Sequence, residues 1–284
     1  MTTIYLLEQG RLGNQMFQLL AARIFDRHAK IIMIGGVDLN KYFLSFKGVS
    51  QIYHKSHPAF FLWSLSWLVR KFAHYGLIGY VQESFNSQKH QLFHYKGIFS
   101  RHIFFDGFHQ AGRSLSSDLA DFFQINERLA RKARNLIKSA FPDKENIFFI
   151  HVRRGDYLIW PSVDFPAVLP AEFYLHQIER IRGENPGASF IVLSDDCEYC
   201  RNIFVQVRDL KIIDSDQMTD FAIMSQCIGG GIISASTFSW WASYILKLNN
   251  PNAVIIAPKY WAGHQVKKWI PKFIESDWIE YVEF

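Results

Sequence analysis

The amino-acid sequence predicts an α/β protein whose second half is a Rossmann-like parallel sheet with helices on both faces. Two observations carry that reading. Strand-like apolar runs alternate with helix-like segments from residue 148 onward, and polar residues close one strand after another. Strand, crossover helix, strand is the order that builds a parallel sheet.

Strands are expected at 148–152, 189–193, 211–213, 231–234 and 253–257, with helices near 172–182, 198–207, 218–227 and 238–248. Ligands of such sheets bind beyond the carboxyl ends of the strands. The first strand delivers His151, Arg153, Arg154 and Asp156, and the second Ser194, Asp195 and Asp196. The fourth delivers Ser236, Thr237 and Ser239 just before a helix, whose N-terminus attracts phosphate, and the fifth Pro258 and Lys259. Arginine stays charged, and its planar fork matches phosphate oxygens two at a time. A doubly charged group such as a diphosphate is the expected ligand, against the plainer reading of a surface Arg–Asp pair.

The first half is less regular. A strand at 4–7 leads through Gly10-Arg11-Leu12-Gly13-Asn14-Gln15 into a helix at 16–28, a glycine loop that fits neither the dinucleotide fingerprint nor a P-loop. A long helix is expected at 117–140, with Arg131, Lys132 and Arg134 on its exposed side. Pro142-Asp143-Lys144 breaks it, so the domains are expected at 1–143 and 144–284, facing one another across a cleft with the nucleotide in the second.

Composition narrows the class. A chain of 284 residues suits about two domains, and 49% hydrophobic residues with 26 Phe exclude a disordered protein. A net charge of +5 and a pI near 9.0 favour an anionic partner. The basic residues are scattered and no RNA-binding signature occurs, so nucleic acid is not expected. The apolar run at 4–7 is too short for a signal peptide, and three cysteines suit a reducing compartment, so a cytoplasmic location is expected. Cys197-x-x-Cys200 lacks a second pair for zinc and reads as buried thiols, while His54-x-x-His57 and His90-x-x-x-His94 are weak metal spacings. The apolar run 60–69, followed by Arg70-Lys71, is too short to span a bilayer. It reads either as a core helix or as a helix lying on a membrane surface, with Trp63 and Trp67 on one face.

Five ordered motifs carry a family resemblance over about residues 5–261. His151-Val-Arg-Arg-Gly-Asp156-Tyr resembles the arginine motif shared by α1,2-, α1,6- and protein O-fucosyltransferases. Gly10-Arg-Leu-Gly13-Asn14-Gln15-Met16-Phe17-Gln18 resembles the N-terminal motif of the α1,2-fucosyltransferases, glycosyltransferase family 11. Ser194-Asp195-Asp196, Ser236-Thr-Phe-Ser239-Trp240-Trp241 and Val254-Ile-Ile-Ala-Pro258-Lys259 are similar to its later motifs. The resemblance implies a GT-B-like fold of two Rossmann-like domains and an inverting transfer of L-fucose from GDP-β-L-fucose to a hydroxyl, usually a galactose O2. It implies that Arg153 and Arg154 hold the diphosphate, with His151 and Asp196 near the guanine and Asp156 and Asp195 beside them. Ser236, Thr237 and Phe238 would complete the donor pocket, and Gly13 and Asn14 would approach it from the N-terminal domain. Two positions depart from the pattern: Arg11 stands in place of a glycine, and Ala235 in place of an asparagine.

The leaving diphosphate needs positive charge, and two arginines supply it, so neither metal nor cofactor is expected. Asp214-Ser215-Asp216 has the form of a metal-binding pair, but Asp216 reads equally as a helix cap. Asp106, Glu83 and Asp164 are candidates for the base that takes the acceptor proton, while Asp156 is expected to orient the arginines. The resemblance implies a galactose-terminated glycan of surface-glycan (O-antigen or similar) synthesis as acceptor; a lipid-linked acceptor met at the inner face of a membrane goes with the membrane-surface reading of 60–69. Fucosyl transfer to another hydroxyl, or a non-catalytic nucleotide or glycan binder, are the alternatives.

Overall fold

The computed structural model describes residues 1–36, 39, 42, 49–52, 59–83, 90–112 and 123–284. The chain forms two compact units, Met1–Ala111 with Phe122–Gln124, and Gly112–Asp121 with Ile125–Phe284.

The first unit contains β1 (Thr3–Leu7), α1 (Leu12–Phe25), β2 (Lys30–Ile34) and β3 (Val49–Ile52). It continues with α2 (Ala59–His74), β4 (Ile78–Glu83), β5 (Leu92–Tyr95) and β6 (Phe99–Asp106). Its sheet runs in the order β3-β2-β1-β6-β4-β5, parallel except for β5. Helix α1 starts four residues earlier than expected, because Gly10 makes the turn at a φ of +70° and leaves the chain free to coil at Leu12. A Cβ at Gly10 would lie 2.2 Å from the Asn14 side chain.

The second unit holds α3 (Glu127–Ala140), β7 (Ile147–Val152), α4 (Ala171–Glu184), β8 (Ser189–Ser194), α5 (Cys197–Ile203) and β9 (Leu210–Ile212). These are followed by α6 (Gln217–Met224), β10 (Gly230–Ile233), α7 (Thr237–Asn249), β11 (Val254–Pro258) and β12 (Glu280–Val282). All six strands are parallel, in the order β12-β11-β10-β7-β8-β9. That is the doubly wound order in which the chain leaves β7 in one direction and returns to its other side at β10. Every residue of β7 is buried, and Phe148, Ile150 and Val152 pack with Phe173, Tyr174 and Ile178 of α4. On α7, Trp240 is fully buried, donates to Ser276 Oγ at 3.1 Å and meets the Trp278 ring edge-on.

The expected strands and helices of this unit are present within a few residues. Strand β12 was not expected; three residues with an exposed Glu280 leave no pattern to read. Two other expectations are corrected. Helix α3 starts at Glu127, where the Asn126 side chain accepts the Arg128 N–H at 2.9 Å, and residues 113–122 lie outside the described ones. The division also falls near Ala111 and Ile125 rather than at 143. Helix α3 belongs to the second unit because it packs on α6, where Lys132 reaches Thr219 at 2.7 Å and Asp216 at 3.1 Å. Helix α2 packs one face, Leu62, Leu65, Val69 and Ala73, against the core cluster of Leu7, Ile34, Ile78 and Phe104, as the core-helix reading of 60–69 expects, while Trp63 and Trp67 on its other face stand exposed. Among the described residues no helix is long and apolar enough to cross a membrane.

Candidate functional site

The reversal of strand order places the ends of β7 and β10 side by side, with His151 paired to Ile233. The crevice at such a reversal is where ligands of this sheet class bind. Into it the chain sends His151-Val-Arg-Arg from β7 and Ser234-Ala-Ser from β10.

Fully buried Ser234 joins the two segments. Its Oγ donates to the His151 carbonyl at 2.8 Å and accepts the Arg153 N–H at 2.9 Å. With its one proton used, it can only accept from the Tyr174 hydroxyl at 2.8 Å. Tyr157 closes the same edge by donating to the Ala235 carbonyl at 2.8 Å.

Three carboxylates hold the arginines. Arg153 pairs through Nη1 with Asp195 at 2.8 Å and through Nη2 with Asp156. Asp195 also accepts the Arg154 N–H at 2.9 Å, and a Cβ at Gly155 would lie 2.7 Å from its second oxygen. Asp196 caps α5 by accepting the Tyr199 N–H at 3.0 Å and takes Arg154 Nε at 3.0 Å. The Arg154 guanidinium lies on the Tyr199 ring, 3.6 Å from its centre. Each guanidinium carries five N–H donors, so both keep donors beyond these pairs. Asp156 holds Arg153 as expected from the sequence, and Asp195 and Asp196, which were not expected to pair with the arginines, complete the balance. Asp156 is half exposed, so its pair with Arg153 is the one an entering anion displaces most cheaply.

His151 is buried, and burial, then the Arg153 charge, pushes its pKa down to about 3, so the ring is neutral. Its Nδ1 has no hydrogen-bond partner, and its ring lies 5.8 Å from that of Phe238. Ser236 precedes α7 without capping it through its side chain, and Thr237 and Phe238 form the first turn. The positive end of that helix dipole adds to the arginines.

In the first unit the motif residues lace a loop together. Gln15 donates to Glu8 at 2.8 Å, Gln18 donates to the carbonyls of Leu7 and Gly107, and Asn14 accepts from Gln110 at 2.6 Å. Gly13 is buried in the first turn of α1. Asp106, at the end of β6, accepts from Gln9 at 2.8 Å and from the Tyr80 hydroxyl at 3.0 Å. Burial, then the Asp106 charge, pushes the Tyr80 phenol up to about 12, so it stays a donor. Asp106 and Tyr80 line a cavity of about 740 Å³ with Trp67, Arg70, Gln82 and Tyr95. Aromatic walls with a few convergent polar groups are typical of a small-molecule pocket.

The other base candidates are placed differently. Glu83 is buried, paired with His90 at 3.0 Å and accepting the His109 N–H at 3.2 Å; Asp164 stands exposed in a loop of the second unit. Among the described residues one group could hold a cation, the ligand atoms of Glu83, His90 and His109 lying within 4.8 Å of one another. His94 instead meets the Phe25 ring edge-on, while His54 and His57 lie outside the described residues. Asp216 caps α6 by accepting the Thr219 N–H at 2.9 Å, and Asp214 pairs with Arg201 at 3.3 Å. Cys197 and Cys200 are free thiols, and burial pushes Cys200 up to about 11.

Sequence reasoning missed Ser234, Tyr174, Tyr199, Gln9 and Tyr80. Only Tyr199 left a signal, standing three residues after the capping Asp196.

Comparison with known proteins agrees with this architecture. The chain is 31% identical over 157 residues to the O-antigen biosynthesis glycosyltransferase WbnK of Escherichia coli, covering 51% of this chain and 50% of that protein. It is 29% identical over 140 residues to a galactoside 2-alpha-L-fucosyltransferase of Bos taurus, covering 46% and 38%. These matches span half or less of the relatives' length. In fold it resembles the crystal structure of NodZ alpha-1,6-fucosyltransferase soaked with GDP-fucose, with a TM-score of 0.50 and 11% identity over 88% of this chain and 93% of that one. The two α/β units are those of a GT-B-like fold. The profile of glycosyl transferase family 11 matches residues 1–282, and the chain belongs to that family.

Proposed function

We propose that the protein transfers L-fucose from GDP-β-L-fucose to O2 of a galactose, with inversion at the anomeric carbon. The observation that carries the reading is the arginine pair at the strand-order reversal, beside the N-terminus of α7. The second unit binds the nucleotide. Spare N–H donors of Arg153 and Arg154, with the first turn of α7, take the diphosphate oxygens, and His151 and Asp196 lie toward the base. The first unit binds the acceptor in the cavity beside Asp106, where Trp67 and Tyr95 offer aromatic faces to a sugar.

In the transfer, the acceptor oxygen forms a bond to the anomeric carbon as the bond to the diphosphate breaks. GDP leaves with the electron pair, and the acceptor proton passes to Asp106. The negative charge that grows on the diphosphate meets guanidinium groups already held in place by carboxylates. A metal is redundant at this step, and Asp214 and Asp216 are engaged with Arg201, Lys132 and the α6 cap. The acceptor is a glycan of surface-polysaccharide synthesis, carried on a lipid at the inner membrane face.

The test is a panel of nucleotide sugars and galactose-terminated acceptors offered to purified protein, with linkage analysis of any product. An α1,2-linked fucose from GDP-fucose supports the reading. A different linkage redirects it to another hydroxyl, and GDP-fucose binding with neither transfer nor hydrolysis makes the chain a binder.

A further inference from the structure

Half of the large apolar side chains that stand exposed among the described residues lie between 60 and 99. Phe60 is 76% exposed, Trp63 65% and Trp67 50%, and they recur at helical spacing on α2, with Leu68 and Phe72 of the helix and Tyr75 just past its end also exposed. The patch does not end with the helix. The β5–β6 turn is tied to the end of α2 by Ile98 N–H to the Gly76 carbonyl at 2.9 Å and Phe99 N–H to the Leu77 carbonyl at 2.7 Å. That tie joins Ile98, 75% exposed, and Phe99, 58% exposed, to the two residues that follow Tyr75. Monomeric proteins rarely expose a continuous apolar surface of this kind without a partner.

The charges around it select the partner. Residues 59–106 contain five lysines and arginines and two acids, Glu83 and Asp106. Glu83 is buried and Asp106 sits inside the cavity, accepting from Gln9 and Tyr80, whereas Arg70, Lys96 and Arg101 are exposed. Lys71 lays its ammonium over the rings of Trp67 and Tyr75, at 5.9 and 5.8 Å. Aromatic residues interleaved with long basic side chains suit the boundary of an anionic bilayer, where rings settle at headgroup depth and cations meet lipid phosphates. A helix of 16 residues, about 24 Å long, can lie along that boundary but cannot cross it with Arg70 and Lys71 in its last turns.

We propose that α2 and the β5–β6 turn form a membrane-docking face for anionic phospholipid. Trp67, Arg70, Lys71 and His74 of α2 also wall the cavity that contains Asp106. Docking therefore sets the mouth of that cavity at the headgroup layer, where a lipid-carried glycan presents its terminal sugar. This last step rests on the proposed function; lipid binding itself does not.

The experiment is vesicle sedimentation of the full chain without substrate, on phosphatidylcholine alone and on phosphatidylcholine mixed with phosphatidylglycerol. Wild type should bind the mixed vesicles, and added salt should weaken binding. Phe60→Ser with Trp63→Ser, both exposed and outside the cavity, should lower binding ~10-fold or more while leaving Tm unchanged. Lys96→Glu with Arg101→Glu should lower binding to the mixed vesicles and leave the weak binding to phosphatidylcholine alone. Failure of wild type to bind the mixed vesicles would overturn the proposal, as would equal binding by wild type and both variants. So would a wild-type dimer in solution that Phe60→Ser with Trp63→Ser dissociates, since the face would then belong to a second copy. Vesicle binding without any fucosyl transfer would remove the proposed function and leave the docking face standing.

Discussion

The Ser234 hydroxyl accepts the backbone N–H of Arg153 at 2.9 Å and so ties the end of β10 to the residue that opens the arginine pair. Replacing it by alanine strands two buried donors, the Arg153 N–H and the Tyr174 hydroxyl. Ser234→Ala should cost about 1–3 kcal/mol of stability, the price of an unsatisfied buried polar group. GDP affinity should fall as well, because the β7 end loses its anchor. Tyr174→Phe removes one donor and strands none, so it should cost less. Chemical denaturation and calorimetric GDP titration check both; a larger loss in Tyr174→Phe would contradict the hydrogen-bond assignment.

Asp106→Asn tests the base. It keeps an oxygen for Gln9 or Tyr80 but cannot take a proton. Turnover should fall by about 10²–10⁴, the usual contribution of a general base. GDP affinity should be unchanged. If turnover stays normal, the base lies elsewhere, and Asp164 is the next residue to replace.

Stability should decline with pH through Asp220. Burial pushes this carboxyl from 3.8 up to about 7, with Asp216 and Asp214 adding to the shift against a bond from Ser215. A raised folded-state pKa means the fold holds the proton more tightly than the unfolded chain. That contribution is fully present below about pH 4, is lost as pH rises toward 7, and is absent above. Asp220→Asn still accepts from Ser215 and cannot ionise. Its Tm should change less than wild type between pH 4 and pH 8. Parallel Tm curves would show that Asp220 ionises freely.

Asp214→Ala breaks only an exposed pair with Arg201, and such pairs are worth little. Transfer should stay within about two-fold of wild type, and manganese should not stimulate either protein. Loss of activity restored by excess manganese would make Asp214 a metal ligand.

Much of the second unit was legible because its strands are buried on both faces, and unbroken apolar runs such as Phe148-Phe149-Ile150 announce them. The arginine pair was legible because two fixed charges at a strand end have few packing explanations. The balancing of Arg153 and Arg154 was not, since it depends on Asp195 and Asp196 arriving from β8 some forty residues later. Ser234 and Tyr174 escaped for the same reason, their bond spanning sixty residues. Helix α2 was ambiguous in sequence because a segment apolar on all sides reads alike whether the core or a lipid surface covers it. The start of α3 was overextended because Leu119, Phe122 and Phe123 recur at helix-like spacing ahead of it, and the capping Asn126 was not read as its start.

The most direct test of the account is Arg153→Lys, measured as GDP-fucose consumption and as GDP affinity, beside Arg153→Ala. Lysine keeps the charge but not the planar fork that joins Asp195 and Asp156 and that the proposed function assigns to phosphate. Both variants should stay folded and lose about 10²–10³ in turnover, the usual cost of removing one preorganised transition-state donor. Near-normal turnover in Arg153→Lys would contradict the assignment of Arg153 to the leaving diphosphate.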